Sequence, residues 1–165
     1  MEIIGHKIGF NTPVYVDENG DRYIGSDTIN MKPGQEFAII LESATMEPAQ
    51  GLSMFSKSVI QALKTESKSK VWNFEWPGYE SISRHRMVTR KSSIVKFCNA
   101  WLDERGFCTF GRPNAAMRIE DLPDGSRRYH CTDGTRDNDF TKFVFRLVPL
   151  EGESFEFTQT PHQPK

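Results

Sequence analysis

Apolar and polar residues alternate with a period of two along much of this chain, and that alternation yields to helical spacing in two places. Val14-Tyr15-Val16 and Arg22-Tyr23-Ile24 flank Asp17-Glu18-Asn19-Gly20-Asp21, where an Asn-Gly pair between β-rich runs predicts a hairpin because both residues tolerate positive φ. Lys32-Pro33-Gly34 predicts a second turn, with Pro presetting φ and Gly taking the left-handed position. Phe37, Ile39 and Leu41 then alternate to about Glu42, which completes an N-terminal set of strands over about 3–42.

The first interruption follows a connection at 43–51. Leu52, Phe55, Val59, Ile60 and Leu63 fall at offsets of three, four and seven, predicting a helix over about 53–65 with Ser53 as its cap. Trp72-Asn73-Phe74-Glu75-Trp76 returns to alternation, a strand over about 71–76 with all three rings on one face. Ile94, Phe97, Cys98 and Trp101 form the second helical stripe, over about 93–105, with Ser92 or Ser93 before it and Gly106 at its C-terminal end.

The last third reads as strands over about 107–157. Met117 to Leu122 faces Arg127 to Thr132 across Asp124-Gly125, Phe143, Phe145 and Leu147 alternate, and Phe155 and Phe157 suggest a final strand. The tail 158–165, with Pro161 and Pro164, is expected to fray. The expectation is therefore one α+β domain, a largely antiparallel β-sheet with two α-helices packed on one face.

Composition changes this picture little. The chain has 165 residues, 37% of them apolar, enough for one self-sufficient core. Three cysteines at wide spacing, Cys98, Cys108 and Cys131, fit free thiols in a reducing compartment, and no apolar run is long enough to span a bilayer. These features predict a cytoplasmic protein, the cytoplasm of an infected host and a virion included.

Charge adds more. The net charge is −1, yet residues 1–52 carry −5, residues 53–96 carry +6 and residues 97–165 carry −2. Within the basic centre, Lys68, Lys70, Arg84, His85, Arg86, Arg90 and Lys91 surround Trp72, Phe74, Trp76 and Tyr79. Rings amid cations are what a single-stranded nucleic-acid platform uses, and equally what the buried face of a sheet beside a solvated loop looks like.

Catalytic signals are sparse. The chain has no Gly-rich phosphate loop, no Gly-x-Ser-x-Gly elbow, no His-Glu-x-x-His and no Cys-x-x-Cys, so no cofactor is expected. His130-Cys131-Thr132 looks like one half of the paired His-x-Thr/Ser signature of two-histidine phosphoesterases, in which two imidazoles act as acid and base. His6, His85 and His162 supply no second copy. Asp133, Asp137 and Asp139 crowd one loop, a set of carboxylates able to hold a hard cation but also ordinary in turns. No metal is expected.

The sequence reading is a non-enzymatic interaction or assembly protein, such as a viral or phage component or accessory factor, whose partner is another protein or copies of itself. Its first alternative is single-stranded nucleic-acid binding through 64–96, and its second is a small phosphodiester hydrolase centred on His130.

Overall fold

The computed structural model describes residues 2–4, 14–16, 22–45, 49–76, 84–103, 106–109, 116–132, 139–150 and 154–157. Among these residues the structure is all β. The strands are β1 (Glu2–Ile4), β2 (Val14–Val16), β3 (Arg22–Ile24), β4 (Asp27–Met31), β5 (Glu36–Ala44), β6 (Gln50–Ala62) and β7 (Lys68–Trp76). After them come β8 (Arg84–Thr89), β9 (Ser93–Asp103), β10 (Gly106–Thr109), β11 (Met117–Asp121), β12 (Arg127–Cys131), β13 (Phe143–Pro149) and β14 (Glu156–Phe157).

Both predicted helices are strands, which overturns the α+β expectation in favour of one curled antiparallel sheet, a half-barrel. The helix expected over 53–65 is most of β6. Its even positions Leu52, Met54 and Ile60 enter the core, while Ser56 and Ser58 interrupt that apolar row. Phe55, Val59 and Leu63, at odd positions, supply the rest of the apparent helical stripe. The helix expected over 93–105 is β9, where Val95 and Phe97 join the main core and Cys98 and Ala100 are also fully buried. A strand buried on both faces has no alternation to read. Gly106, read as a helix end, instead opens β10.

The hairpins follow local chemistry. β2 pairs with β3 from Val14↔Ile24 to Val16↔Arg22, and β11 pairs with β12 from Met117↔Cys131 to Asp121↔Arg127. In the latter turn, Gly125 donates to Leu122 O at 3.1 Å and has φ 83, a conformation open to glycine without strain. At the Lys32–Gln35 turn Gly34 has φ 77, and its N–H donates to Thr89 O at 2.7 Å, which ties that turn to the end of β8.

The strands run in the order β1-β2-β3-β11-β12-β13-β5-β8-β6-β9-β4-β14, with β7 beside β6 and β10 beside β9. Six strand spacings separate β12 from β4 on that path, roughly 30 Å if the sheet lay flat. Yet Tyr129 Oη on β12 donates to Asp27 Oδ2 on β4 at 2.5 Å, so the sheet must curl until its far strands meet. Inside the curl lie Phe37, Ile39, Leu52, Met54, Phe97, Phe143, Phe145 and Leu147. Phe37 meets Phe97 edge-on at 6.0 Å, and Tyr129 stacks on Phe145 at 4.7 Å.

Charge closes the curl as well. Asp27 is fully buried, and its Oδ2 also accepts from Arg127 Nη1 at 3.1 Å, while its Oδ1 accepts from Thr28 N at 2.8 Å. Arg127 then grips Asp121 through Nε at 2.6 Å and Nη2 at 3.1 Å, and its guanidinium lies 3.7 Å from the centre of the Phe157 ring. Burial pushes the Asp27 carboxyl above its usual range, opposed by the Tyr129 hydrogen bond and the Arg127 charge.

β6 has three neighbours. One edge follows β7, while the other pairs with β9 over Gln50–Ser56 and with β8 over Ile60–Ala62. The change of partner puts an irregularity between Phe55 and Ile60 in its register with β7. Serines hold this bend: Ser58 N donates to Ser93 Oγ at 3.0 Å, Ser58 Oγ to Ser92 O at 3.0 Å, and Ser56 Oγ to Ser58 O at 2.6 Å.

Arg127→Met should destabilise the fold by about 3–5 kcal/mol, because it strands a buried carboxylate. Asp121→Asn, at a half-exposed partner, should cost less than about 1 kcal/mol. Urea unfolding followed by far-UV circular dichroism measures both, and equal losses for the two variants would show that the buried pair does not hold the curl.

Candidate functional site

The bend in β6 opens a surface recess of about 530 Å³ lined by Lys57, Ser58, Val59, Gln61, Lys68, Lys70, Arg90 and Lys91. Three pieces of chain meet there: the irregular stretch of β6, the first residues of β7, and the turn from β8 to β9. Five of the eight lining side chains are cationic and none is acidic. Among the described residues, no carboxylate makes an ion pair with Lys68, Lys70, Arg90 or Lys91.

The turn that carries Arg90 and Lys91 is fixed from both sides. Thr89 is fully buried and its Oγ1 donates to Lys91 O at 2.5 Å, while Ser92 and Ser93 receive the hydrogen bonds from Ser58. Val59 is 44% exposed and Val71, next to Lys70 on β7, is 50% exposed; they are the exposed large apolar residues among those described. A second recess of about 350 Å³, lined by Asn30, Met31, Lys32, Lys57, Ser92, Ser93, Ile94 and Glu156, shares Lys57 with the first. Its carboxylate, Glu156, lies 3.4 Å from the Asn30 amide, which donates to it.

The structure thus brings together Lys68, Lys70, Arg90 and Lys91 from the predicted basic-aromatic surface and turns the Trp72 and Phe74 rings toward the core. Trp72 and Phe74 stand opposite Met54 and Leu52 in the β6–β7 register. Phe74 is buried in the core cluster and Trp72 packs against that cluster. The two rings stack at 6.1 Å, and Trp72 Nε1 donates to Ser69 O at 3.1 Å. Arg86 is paired with Glu36 at 2.8 Å. Trp76 closes β7, and Arg84 and His85 open β8 opposite Ile40 and Ile39; the side chains of these three, and Tyr79 altogether, lie outside the described residues.

Sequence reasoning omitted Val59, Ser58 and Gln61 from the surface, since a helix over 53–65 hides the bend that gathers them. It also passed over the Asp27–Arg127–Tyr129 cluster. The signal for that cluster was present: Asp27-Ile29-Met31 and Arg127-Tyr129-Cys131 each place a charge on an otherwise apolar alternating row.

The weaker catalytic candidates are otherwise engaged. His130 lies on the outer side of β12, its Nε2 2.9 Å from Glu120 Oε2, while Tyr129 and Cys131 turn inward. Thr132 is buried, and its hydroxyl receives the Ala116 N–H at 3.1 Å. Glu120 also accepts from Arg128 at 3.0 Å, and Arg128 continues to Glu42 at 2.8 Å. Arg146 Nε sits 2.9 Å from Glu42 at an angle that makes the contact an ion pair rather than a hydrogen bond. The hydrogen bonds from His130 and then Arg128 hold the Glu120 carboxyl below its usual range.

Asp139 caps Thr141, accepting from its N at 2.9 Å and its Oγ1 at 2.6 Å; Asp133 and Asp137 lie outside the described residues. No group of three His, Cys, Asp or Glu side chains able to hold a metal occurs among the described residues.

Cys98 and Cys131 are buried free thiols. Burial pushes the Cys98 thiol up to about 12 and that of Cys131 well above its ordinary value.

Compared with known proteins, the chain matches no family model, no curated sequence and no solved structure.

With both thiols sequestered, iodoacetamide at mildly alkaline pH should leave Cys98 and Cys131 unmodified in the native protein and alkylate them once it is unfolded. Peptide mapping by mass spectrometry reads this out, and rapid native labelling of Cys98 would contradict its placement.

Proposed function

We propose that the protein is a non-enzymatic binding module that captures an anionic partner in the recess at the β6 bend. The observation that carries this reading is a concave site lined by Lys57, Lys68, Lys70, Arg90 and Lys91 and by no carboxylate. A cleft lined by one sign of charge concentrates field lines and raises the local concentration of counter-charged ligand. The outer face around β11, β12, β13 and β5 differs sharply, because there Arg128 and Arg146 meet Glu42, Glu120 and Asp124. Arg128 and Arg146 on that face are answered by carboxylates, whereas Lys68, Lys70, Arg90 and Lys91 at the bend make no ion pair among the described residues.

Binding is favoured over catalysis because, among the described residues, the candidate proton-transfer groups are occupied elsewhere. His130 is paired with Glu120, the Thr132 hydroxyl serves the Ala116 backbone, and Asp27 is used up inside the core. The buried free thiols Cys98 and Cys131 support placing the protein in a reducing compartment such as the cytoplasm.

Heparin affinity chromatography at neutral pH tests the reading. A chain of net charge −1 has no overall attraction for heparin, so retention reports a localised patch. Wild type should be retained and elute only with added salt, and Lys68→Gln combined with Arg90→Gln should elute earlier with an unchanged circular dichroism spectrum. Wild type in the flow-through at low salt would refute the proposal.

A further inference from the structure

Building on that anionic reading, we infer that the ligand is the phosphodiester backbone of single-stranded nucleic acid, gripped through its phosphates with the bases facing away. Three observations converge on this ligand.

The cationic surface is a track rather than a spot. The two recesses share Lys57, so Lys32, Lys57, Lys91, Arg90, Lys68 and Lys70 line adjoining concavities, with the Glu156 carboxylate in the second. A ligand with charge repeated along a line matches that layout, and the Gln61 amide offers a neutral donor among the cations. The volumes, about 530 and 350 Å³, lie in the range of small-ligand pockets of roughly 300–1,000 Å³, a scale that suits the phosphates of one strand.

Among the described residues the site also lacks the aromatic anchors and apolar centre that a protein partner uses. Protein interfaces draw most of their energy from aromatic, Met or Arg anchors inside an apolar centre. Here Val59 and Val71 are the exposed large apolar side chains among the described residues, and the nearby Trp72 and Phe74 rings pack toward the core.

That inward packing defines the mode of binding. Single-strand binders normally stack bases on exposed rings, and the described part of this recess offers none. Affinity then arises from counterion release, which depends on the number of phosphates and little on sequence.

Fluorescence anisotropy with end-labelled single strands of equal length tests this: oligothymidylate, oligoadenylate and an abasic strand with the same phosphates, beside labelled poly-glutamate of equal charge. The three strands should bind within about twofold of one another and better than poly-glutamate. The logarithm of affinity should fall with the logarithm of salt with a slope of about −3.5, the value for one phosphate at each of the five cations of the first recess. Lys68→Gln and Arg90→Gln should each reduce that slope by about 0.7.

Binding of the base-containing strands without the abasic one would overturn the inference, since bases would then carry affinity, while leaving the anionic reading intact. Poly-glutamate bound as tightly as the strands would do the same in favour of an acidic protein partner. Absence of binding to every probe at low salt would remove both readings.

Discussion

Asp27 is enclosed on every side, so its charge must be answered within the protein. The partners that answer it, Arg127 and Tyr129, sit on a strand six places away along the sheet. The pair is therefore a constraint on shape as much as an interaction. A flat sheet would leave both groups stranded, and only a curled one lets them meet. Apolar burial supplies the larger driving force, but it is non-directional. The carboxylate, with Tyr129 and Arg127 on one oxygen and the Thr28 amide on the other, specifies which two strands come together.

Curling has a local consequence at β6, which must leave β9 for β8 partway along its length. Regular pairing cannot continue through that change, and the irregular stretch Lys57–Val59 is turned toward solvent between two other basic segments. Hydrogen bonds from Ser56 and Ser58 replace the interrupted ladder. The cationic recess is thus a by-product of sheet geometry, lined by whichever residues occupy the corner. The carboxylate-paired outer face on the other limb of the sheet shows that this chain can neutralise its surface cations where it has acids to place beside them.

Much of the sheet was legible in the sequence. The Asp124-Gly125 hairpin and the core-facing row of Phe143, Phe145 and Leu147 follow from turn chemistry and period-two alternation. The two longest strands were not, because each departs from one-faced burial: Ser56 and Ser58 break the inner row of β6, and Cys98 and Ala100 fill the second face of β9. The site was half legible. The basic centre at 53–96 marks the cations, but the direction in which Trp72 and Phe74 point depends on their register with Leu52 and Met54, which composition does not encode.

β7 pairs with β6 alone among the described residues, so its other backbone edge has no strand partner among them. Ser69 Oγ bonds both the N–H and the C=O of Val71, and Trp72 covers the Ser69 carbonyl. Lys68 and Lys70 set like charges along the same stretch, a device that deters strands of other molecules from adding on. The lysines to which the proposed function assigns ligand attraction therefore also guard against aggregation. Selection for weaker ligand affinity by loss of their charge would come at the expense of solubility, which couples two properties that a surface residue usually keeps apart.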